Sequence, residues 1–360
     1  MRKTCNLDWV LSIGASALFP GISLGLAVAG NQVVNNLPAG VNNSIVQVSA
    51  GGFGGTGSIV LSYGYNGGTV FDVLTADHVI RDDSSAKGAS LFAPGKINVG
   101  FGNAANPNPA ASAVTTDFTI PSGGTSAVDL AMLSVYVPAA QVPALPAFTP
   151  LQIGTGVAAN DAIVQSGYGY RANASPVNVY NALNMTNFPG YVYRPGTGLG
   201  YGTLLSGKNN ILKVTANLVG ASSFYDPGTG AVKYQYNGIT GGTAITANGA
   251  GGYNGTSYAL EGDSGGPTLE LVKGQYVIVG VHASSYTYDS YDKANVLLES
   301  DVIPYADDNS FIWKDVNAMS YSAWITSAEG TVNAALPEPS SLTLLAFGGL
   351  GLLHRRRGRA

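Results

Sequence analysis

One hexapeptide in this chain, Gly262-Asp263-Ser264-Gly265-Gly266-Pro267, has the composition of a turn that carries a nucleophile. A serine flanked by glycines in a tight turn presents its hydroxyl group to solvent. The same turn leaves the backbone N–H groups of Gly262 and Ser264 directed at an oxyanion, and acyl transfer needs both features. The motif therefore predicts Ser264 as a catalytic nucleophile, with Gly262 and Ser264 forming the oxyanion hole.

A serine hydroxyl is a poor nucleophile at neutral pH, so it needs an imidazole base, and that base needs a carboxylate to orient it. The apolar run Val73-Leu74-Thr75-Ala76 leads into Asp77-His78, and Asp129 enters the apolar strand Leu130-Ala131-Met132-Leu133. The chain has 3 histidines, and His354 lies in a basic tail. The candidate base is therefore His78 or His282, and the motif favours His78 with Asp129 as its carboxylate.

These segments resemble the trypsin/chymotrypsin family of serine proteases. The order His78, Asp129, Ser264 is that of the family. Thr-Ala-Asp-His resembles its Thr-Ala-Ala-His, Asp-Leu-Ala-Met-Leu resembles its Asp-Ile-Ala-Leu-Leu, and the hexapeptide matches its nucleophile motif without change. The segment 54–60, Gly-Gly-Thr-Gly-Ser-Ile-Val, resembles the strand that precedes the family's histidine.

The resemblance extends over about residues 44–328 and implies an all-β fold of two antiparallel six-stranded β-barrels, with the active site in the cleft between them. The first barrel is expected at about 44–140 and the second at about 150–328, both within a protease domain spanning 30–330. The segment 311–325 resembles the short helix that ends this family's domain. Loops are expected at 103–113 and 222–257, and a Pro/Ala-rich linker at 138–150.

Composition independently indicates an all-β protein with many short strands. The chain of 360 residues is 45% hydrophobic and contains 49 glycines, and turn residues separate its apolar segments. Only 11% of residues are charged, against roughly 25% in typical soluble domains. The net charge of −4 argues against nucleic acid as a partner. No metal and no cofactor is predicted.

The first 29 residues have the pattern of a secretory signal peptide. Met1-Arg2-Lys3 is followed by an apolar stretch that ends in Ala27-Val28-Ala29, the type of site that signal peptidase cleaves. The alternative is a transmembrane anchor, against which Pro20 and several glycines argue. Cleavage here would remove Cys5, the only cysteine, and the mature protein would have no disulfide.

Residues 331–360 resemble the PEP-CTERM sorting signal of Gram-negative bacteria. Pro337-Glu338-Pro339 precedes an apolar run over 341–353 and an Arg-rich end. The run is short for a free-standing span, which needs about 20 apolar residues. The resemblance implies transient membrane association, processing by an exosortase-type enzyme, and delivery to the cell surface or extracellular matrix. The alternative is a plain C-terminal anchor.

Three residues are candidates for binding the substrate polypeptide: Tyr258, His282 and Ser285. Tyr258 stands six residues before the nucleophile, where trypsin-like specificity for Lys or Arg would need aspartate. The segment 280–282, Gly-Val-His, resembles the Gly-Ile-His of bacterial glutamyl endopeptidases, in which the histidine meets an acidic side chain. The alternative is a structural His282 that packs against the barrel and bonds to a backbone carbonyl.

The sequence thus predicts an exported serine endopeptidase that acts through an acyl-enzyme. A non-catalytic surface or matrix-binding protein on a protease-like scaffold is the alternative, favoured by the Gly/Asn/Tyr-rich loops. An α/β-hydrolase would order its triad as serine, acid and histidine, and would alternate strands with helices, which this chain does not. The partner of Asp263 is expected to be a freed N-terminus or a side chain.

Overall fold

The computed structural model describes fifteen segments of the chain: 27–28, 37–51, 53–82, 90–103, 106–121, 128–169, 172–181, 186–195, 204–219, 235–241, 257–258, 262–285, 288–291, 297–304 and 313–330. Strands dominate these segments, as the composition predicts. Of the two predicted sorting signals, only Ala27–Val28 lies within the described residues. Among the described residues, no helix is both long enough and apolar enough to cross a membrane.

The described strands, in chain order, are β1 (Ala27–Val28), β2 (Ile45–Ala50), β3 (Phe53–Tyr65), β4 (Gly68–Thr75), β5 (Arg81–Asp82), β6 (Ser90–Leu91), β7 (Ile97–Asn103), β8 (Asn106–Thr119), β9 (Ala131–Val137), β10 (Gln152–Ile153), β11 (Ala162–Gly167), β12 (Ala172–Asn181), β13 (Thr186–Pro195), β14 (Leu205–Val219), β15 (Gln235–Gly241), β16 (Ser257–Tyr258), β17 (Pro267–Val272), β18 (Gln275–Ser285), β19 (Tyr288–Tyr291), β20 (Leu297–Pro304) and β21 (Trp313–Asn317).

Within the described segments, the helices are short. Helix α1 spans Ala39–Asn43 and helix α2 spans Ser322–Ala328. Single turns of 3-10 helix occur at Asp77–Ile80, Pro94–Lys96, Val142–Ala144 and Ala318–Tyr321.

The first half of the chain forms a closed barrel with the strand order β2-β3-β4-β9-β8-β7. Most side chains in its core are β-branched, and Phe71, Phe101, Leu133 and the smaller Ala50 and Ala131 fill the remaining space. Phe71 is fully buried at its centre, with ring centroids 5.1 Å from Phe101 and 5.0 Å from Phe148. Since Phe148 belongs to the predicted linker, the linker packs against the barrel that it leaves.

The second half forms a seven-stranded sheet with the order β10-β18-β17-β11-β14-β15-β21, and β18 also pairs with β21. All neighbours are antiparallel except the short pair β10–β18. A third sheet, β16-β1-β12-β13-β20-β19, lies outside the predicted two-barrel scheme. Strand β1 belongs to the predicted signal peptide, and the other five strands lie in segments outside the three motifs.

An apolar core joins the barrel to the seven-stranded sheet. Leu74 and Leu130 from the barrel pack in one cluster with Leu269 and Ile278 from the sheet, and Ile325 of α2 belongs to the same cluster. All five side chains are fully buried. The two halves and the C-terminal helix therefore share one core.

The structure confirms an all-β antiparallel fold with a short C-terminal helix, and it corrects three local predictions. The predicted loop at 103–113 is wrong, because β8 begins at Asn106 and pairs with β7 and β9. The predicted loop at 222–257 contains β15.

The predicted helix at 311–325 begins later, since Trp313–Asn317 is a strand and the helical turns start at Ala318. A strand with an alternating pattern can run through Pro and Gly when it lies at a bulge or an edge.

The C-terminal end of the domain is held against the barrel by a buried carboxylate. Asp72 in β4 is fully buried and accepts a hydrogen bond of 2.9 Å from the Gly330 N–H. Burial raises the pKa of Asp72 from 3.8 to about 6, against the lowering effects of the hydrogen bonds from Gly330 and Ser134. The charged form of this side chain is therefore unfavourable in the folded state.

We expect Asp72→Asn to stabilise the protein near pH 8. The folded pKa lies above the unfolded value, so the stabilising contribution of Asp72 is complete below pH 3.8 and is lost as the pH rises through about 6. Asparagine keeps an acceptor for the Gly330 N–H without the charge, so the free energy of unfolding at pH 8 should rise by up to about 3 kcal/mol. Denaturant unfolding at pH 4 and pH 8 measures this. A gain of the same size at both pH values would contradict this prediction. The half-buried carboxylate variant Asp161→Asn is the control.

Candidate active site

His78 lies at the point where a buried strand ends. Strand β4 leads through Ala76 into the single 3-10 turn Asp77–Ile80, whose second residue is His78. The first N–H groups of a helical turn have no acceptor within the turn. The His78 N–H instead donates to Asp129 Oδ1 at 3.0 Å. Asp129 thus fixes the backbone of the histidine.

Asp129 orients the imidazole directly. Its Oδ2 lies 2.8 Å from His78 Nδ1, so the carboxylate holds the side chain and the main chain of His78 at once. A hydrogen bond of 2.7 Å from the Leu130 N–H to the Val128 carbonyl closes a three-residue turn around Asp129. The Asp129 side chain is 3% exposed, whereas that of His78 is 17% exposed. The buried carboxylate thus faces a partly accessible imidazole.

The charges around His78 favour its protonated form. Burial lowers the pKa of His78, but the charge of Asp129 and its hydrogen bond raise it, and the charge of Asp77 adds to them. Arg81, whose Nε lies 2.5 Å from Asp77 Oδ2, opposes these effects. The pKa of His78 therefore lies above the ordinary value of 6.5. An imidazole in this setting accepts a proton readily and is stabilised as an imidazolium.

Ser264 lies at the second position of a tight turn. The Gly266 N–H donates to the Asp263 carbonyl at 2.7 Å, which closes a β-turn with Ser264 and Gly265 at its centre. Gly265 has φ of 81°, the positive value that a type II turn requires at its third position. A Cβ on Gly265 would also lie 2.1 Å from Thr75 Oγ1 and 2.8 Å from Ala76 N. Only glycine fits here, and the close approach brings the Ser264 turn against the residues that lead into His78.

The carboxylate of Asp263 is buried and contacts the residues at and after the end of β11. It is 1% exposed, and its Oδ1 accepts a hydrogen bond of 3.2 Å from the Gly169 N–H at the end of β11. A Cβ on Gly167 would lie 1.9 Å from the same oxygen, so the strand must carry glycine at this point. The segment Gly167-Tyr168-Gly169 thus receives the side chain that precedes Ser264.

A second histidine–aspartate pair lies next to the Ser264 turn. His282 in β18 is 4% exposed, and its Nδ1 lies 2.8 Å from Asp315 Oδ1 in β21. The other carboxylate oxygen of Asp315 accepts a hydrogen bond from the Thr268 hydroxyl. The backbone of His282 also pairs with the turn, accepting from the Gly265 N–H at 2.8 Å and donating to the Gly266 carbonyl at 2.9 Å. The ring partner of His282 is therefore a carboxylate, and not the backbone carbonyl of the structural alternative.

The two other predicted substrate-binding residues are described only by their backbone. Ser285 is the last residue of β18 and pairs with Trp313 of β21. Tyr258 lies in β16, in the third sheet, where it pairs with Ala27. The structure therefore brings together His78 with Asp129, and His282 with the turn of Ser264, whereas it assigns Tyr258 to a different sheet from His282 and Ser285.

Sequence reasoning missed three side chains at this site. Thr56, Thr268 and Asp315 are all buried and make the hydrogen bonds that fix the nucleophile turn or His282. Thr56 belongs to the segment 54–60, for which the resemblance implies a strand but no role for the threonine. Asp315 was assigned to a helix, and a carboxylate in the middle of the strand-like run Trp313–Val316 was the available signal.

Comparison of the chain with models of protein families and with curated proteins finds no match.

Proposed function

We propose that this chain is a serine endopeptidase of the trypsin/chymotrypsin type. The observation that carries the proposal is the double contact of Asp129 with His78, at 2.8 Å to the ring and 3.0 Å to the backbone N–H. A buried carboxylate that holds a partly exposed imidazole is the arrangement a general base needs. The Ser264 turn packs through Gly265 against Thr75 and Ala76, the residues that lead into His78.

In the proposed reaction, Ser264 Oγ attacks the scissile carbonyl carbon while His78 accepts the hydroxyl proton. The N–H groups of Gly262 and Ser264 stabilise the oxyanion of the tetrahedral intermediate. The intermediate collapses to an acyl-enzyme, and the leaving amine takes the proton from His78. Water then attacks the ester, with His78 as base again, and releases the acid. Asp129 stabilises the imidazolium that forms in each half of the cycle.

We also propose that the seven-stranded sheet closes into the second barrel of this fold. Strand β18 pairs with β17 on one side and with β21 on the other, and β21 is the last strand of the sheet order. A sheet whose first and last long strands pair has returned on itself, which supports closure. The substrate cleft would then run between this sheet and the first barrel.

Labelling with a fluorophosphonate tests the proposed nucleophile. The reagent phosphonylates a serine only where a base and an oxyanion site activate it, so we expect a single adduct on Ser264 by peptide mass mapping. Neither Ser264→Ala nor His78→Ala should be labelled. If the folded wild-type protein neither reacts nor cleaves peptides, the non-catalytic surface protein becomes the better assignment.

We further propose that His282 contributes to the primary specificity. Its backbone pairs with the nucleophile turn at Gly265 and Gly266, so its strand borders the site of attack. Since Nδ1 of His282 faces Asp315, the nitrogen that would donate to a substrate carboxylate is Nε2. Such a bond would favour cleavage after glutamate. We expect a preference for Glu over Phe, Ala and Arg in otherwise identical peptides, and its loss in His282→Ala. A preference that survives in His282→Ala, or one for Phe or Ala, would make His282 a structural residue.

Export and sorting belong to the same proposal, although their signals lie outside the described residues apart from Ala27–Val28. We propose cleavage by signal peptidase after residue 29 and sorting to the surface of a Gram-negative cell through residues 331–360. Deletion of 337–360 should release the protease into the medium of a host with an exosortase-type enzyme. Mass spectrometry of the surface-associated protein should find no intact C-terminus. A C-terminus at Ala360 would indicate a plain tail anchor.

A further inference from the structure

Thr56 in β3 links the first barrel to both ends of the nucleophile segment. Its N–H donates to the Ser264 carbonyl at 2.8 Å, and its hydroxyl donates to the Gly262 carbonyl at 3.0 Å. The residue is 0% exposed. One side chain and one backbone group of the same threonine therefore hold the two residues whose N–H groups are assigned to the oxyanion.

Thr56 is itself held from two directions. Its hydroxyl oxygen accepts a hydrogen bond of 3.0 Å from the Tyr168 N–H, in the second half of the chain. Its carbonyl accepts one of 2.7 Å from the Thr75 hydroxyl, three residues before His78. The Tyr168 hydroxyl returns to the first barrel, where it donates to the Ile45 carbonyl at 3.0 Å. Thr56 thus stands in a chain of bonds that crosses between the two halves.

The neighbouring glycines bring β3 close enough for these contacts. A Cβ on Gly55 would lie 2.9 Å from the Ser264 carbonyl oxygen and 2.7 Å from a methyl group of Val79. A Cβ on Gly57 would lie 2.6 Å from a methyl group of Val73. The Gly-Thr-Gly segment therefore combines close backbone approach with a single hydroxyl that reaches the turn.

We propose that Thr56 is a positioning residue of the active site, whose hydroxyl sets the backbone geometry of Gly262 and Ser264 and hence of the oxyanion hole. This role rests on the proposed peptidase activity. Fixing the carbonyl of Gly262 restrains its backbone, which has φ of 90°. Preorganised donors stabilise an oxyanion because they need no reorientation during the reaction. Loss of the hydroxyl should therefore slow the chemical step more than it weakens binding.

The test compares Thr56→Val with Thr56→Ser. Valine has the shape of threonine but removes the hydroxyl, and it keeps the backbone bonds to Ser264 and from Thr75. We expect kcat to fall by about 10-fold to 100-fold while KM changes by less than about 3-fold. The rate of fluorophosphonate labelling should fall in parallel, and serine should restore both. Thr115→Val, at a buried threonine of β8 in the same barrel, is the matched control and should keep wild-type kcat.

Each result separates the role of Thr56 from the proposed function. If wild type is active and Thr56→Val keeps its kcat, or if serine and valine lower kcat equally, the positioning role is wrong and the peptidase assignment stands. If wild type cleaves no peptide and takes no label, both fail. Should Thr56→Val not fold, Thr56→Ser and Thr56→Ala replace the pair, since both lack the methyl group and differ only in the hydroxyl. Equal kcat in these two would overturn the role.

Discussion

Replacing Ser264 with alanine is expected to lower kcat for peptide hydrolysis by about 10⁴-fold or more. The substitution removes the atom that forms the acyl-enzyme, while the turn keeps its bond from the Gly266 N–H to the Asp263 carbonyl. Binding of the substrate should survive, because no contact outside the hydroxyl is removed. Steady-state kinetics with a fluorogenic peptide and binding measured by fluorescence anisotropy give the two quantities separately.

Ser49→Ala is the matched control for this experiment. Ser49 is also half-buried, but it lies in β2 of the first barrel, away from the turn. We expect its kcat to equal that of wild type. His78→Ala should lose as much activity as Ser264→Ala, and the double variant should lose no more, because the two residues act as one unit. Wild-type kcat in Ser264→Ala would contradict the assigned nucleophile.

The residues of the proposed triad could be predicted because each lies in a short motif whose chemistry is local. A serine between glycines predicts a tight turn, and the structure contains that turn with Gly265 at positive φ. A β-branched run that ends at His78 predicts a strand end, and β4 ends at Thr75. The pairing of His78 with Asp129 then followed from the requirement that an imidazole base be oriented by a carboxylate.

The supporting residues could not be predicted, because their partners are remote in sequence. The hydroxyl of Thr56 reaches Gly262 across 206 positions, and Thr268 reaches Asp315 across 47. Neither threonine differs in its local sequence from one that merely faces a barrel wall. The third sheet was also missed, because strands such as β12 and β13 pair mainly with each other through polar, Gly- and Pro-containing segments. Register and pairing across such segments depend on tertiary packing.

Asp129→Asn is expected to lower kcat by about 10⁴-fold at neutral pH without unfolding the domain. Asparagine can still accept the hydrogen bond from the His78 N–H through its carbonyl oxygen. Its amide nitrogen then faces His78 Nδ1, where the carboxylate oxygen lies at 2.8 Å. This amide donates rather than accepts, so the ring proton moves to Nε2. The nitrogen that should take the proton from Ser264 is then already protonated.

The pH dependence distinguishes this effect from a general loss of structure. The charge and hydrogen bond of Asp129 raise the pKa of His78, so their removal should lower it. In wild type, kcat/KM should rise with pH through an apparent pKa above 6.5, because the base must be neutral. In Asp129→Asn the NMR titration of His78 should move to lower pH, whereas Asp161→Asn, which changes a half-buried carboxylate next to β11, should leave it unchanged. A His78 titration that does not move would mean that Asp129 neither orients nor stabilises the base.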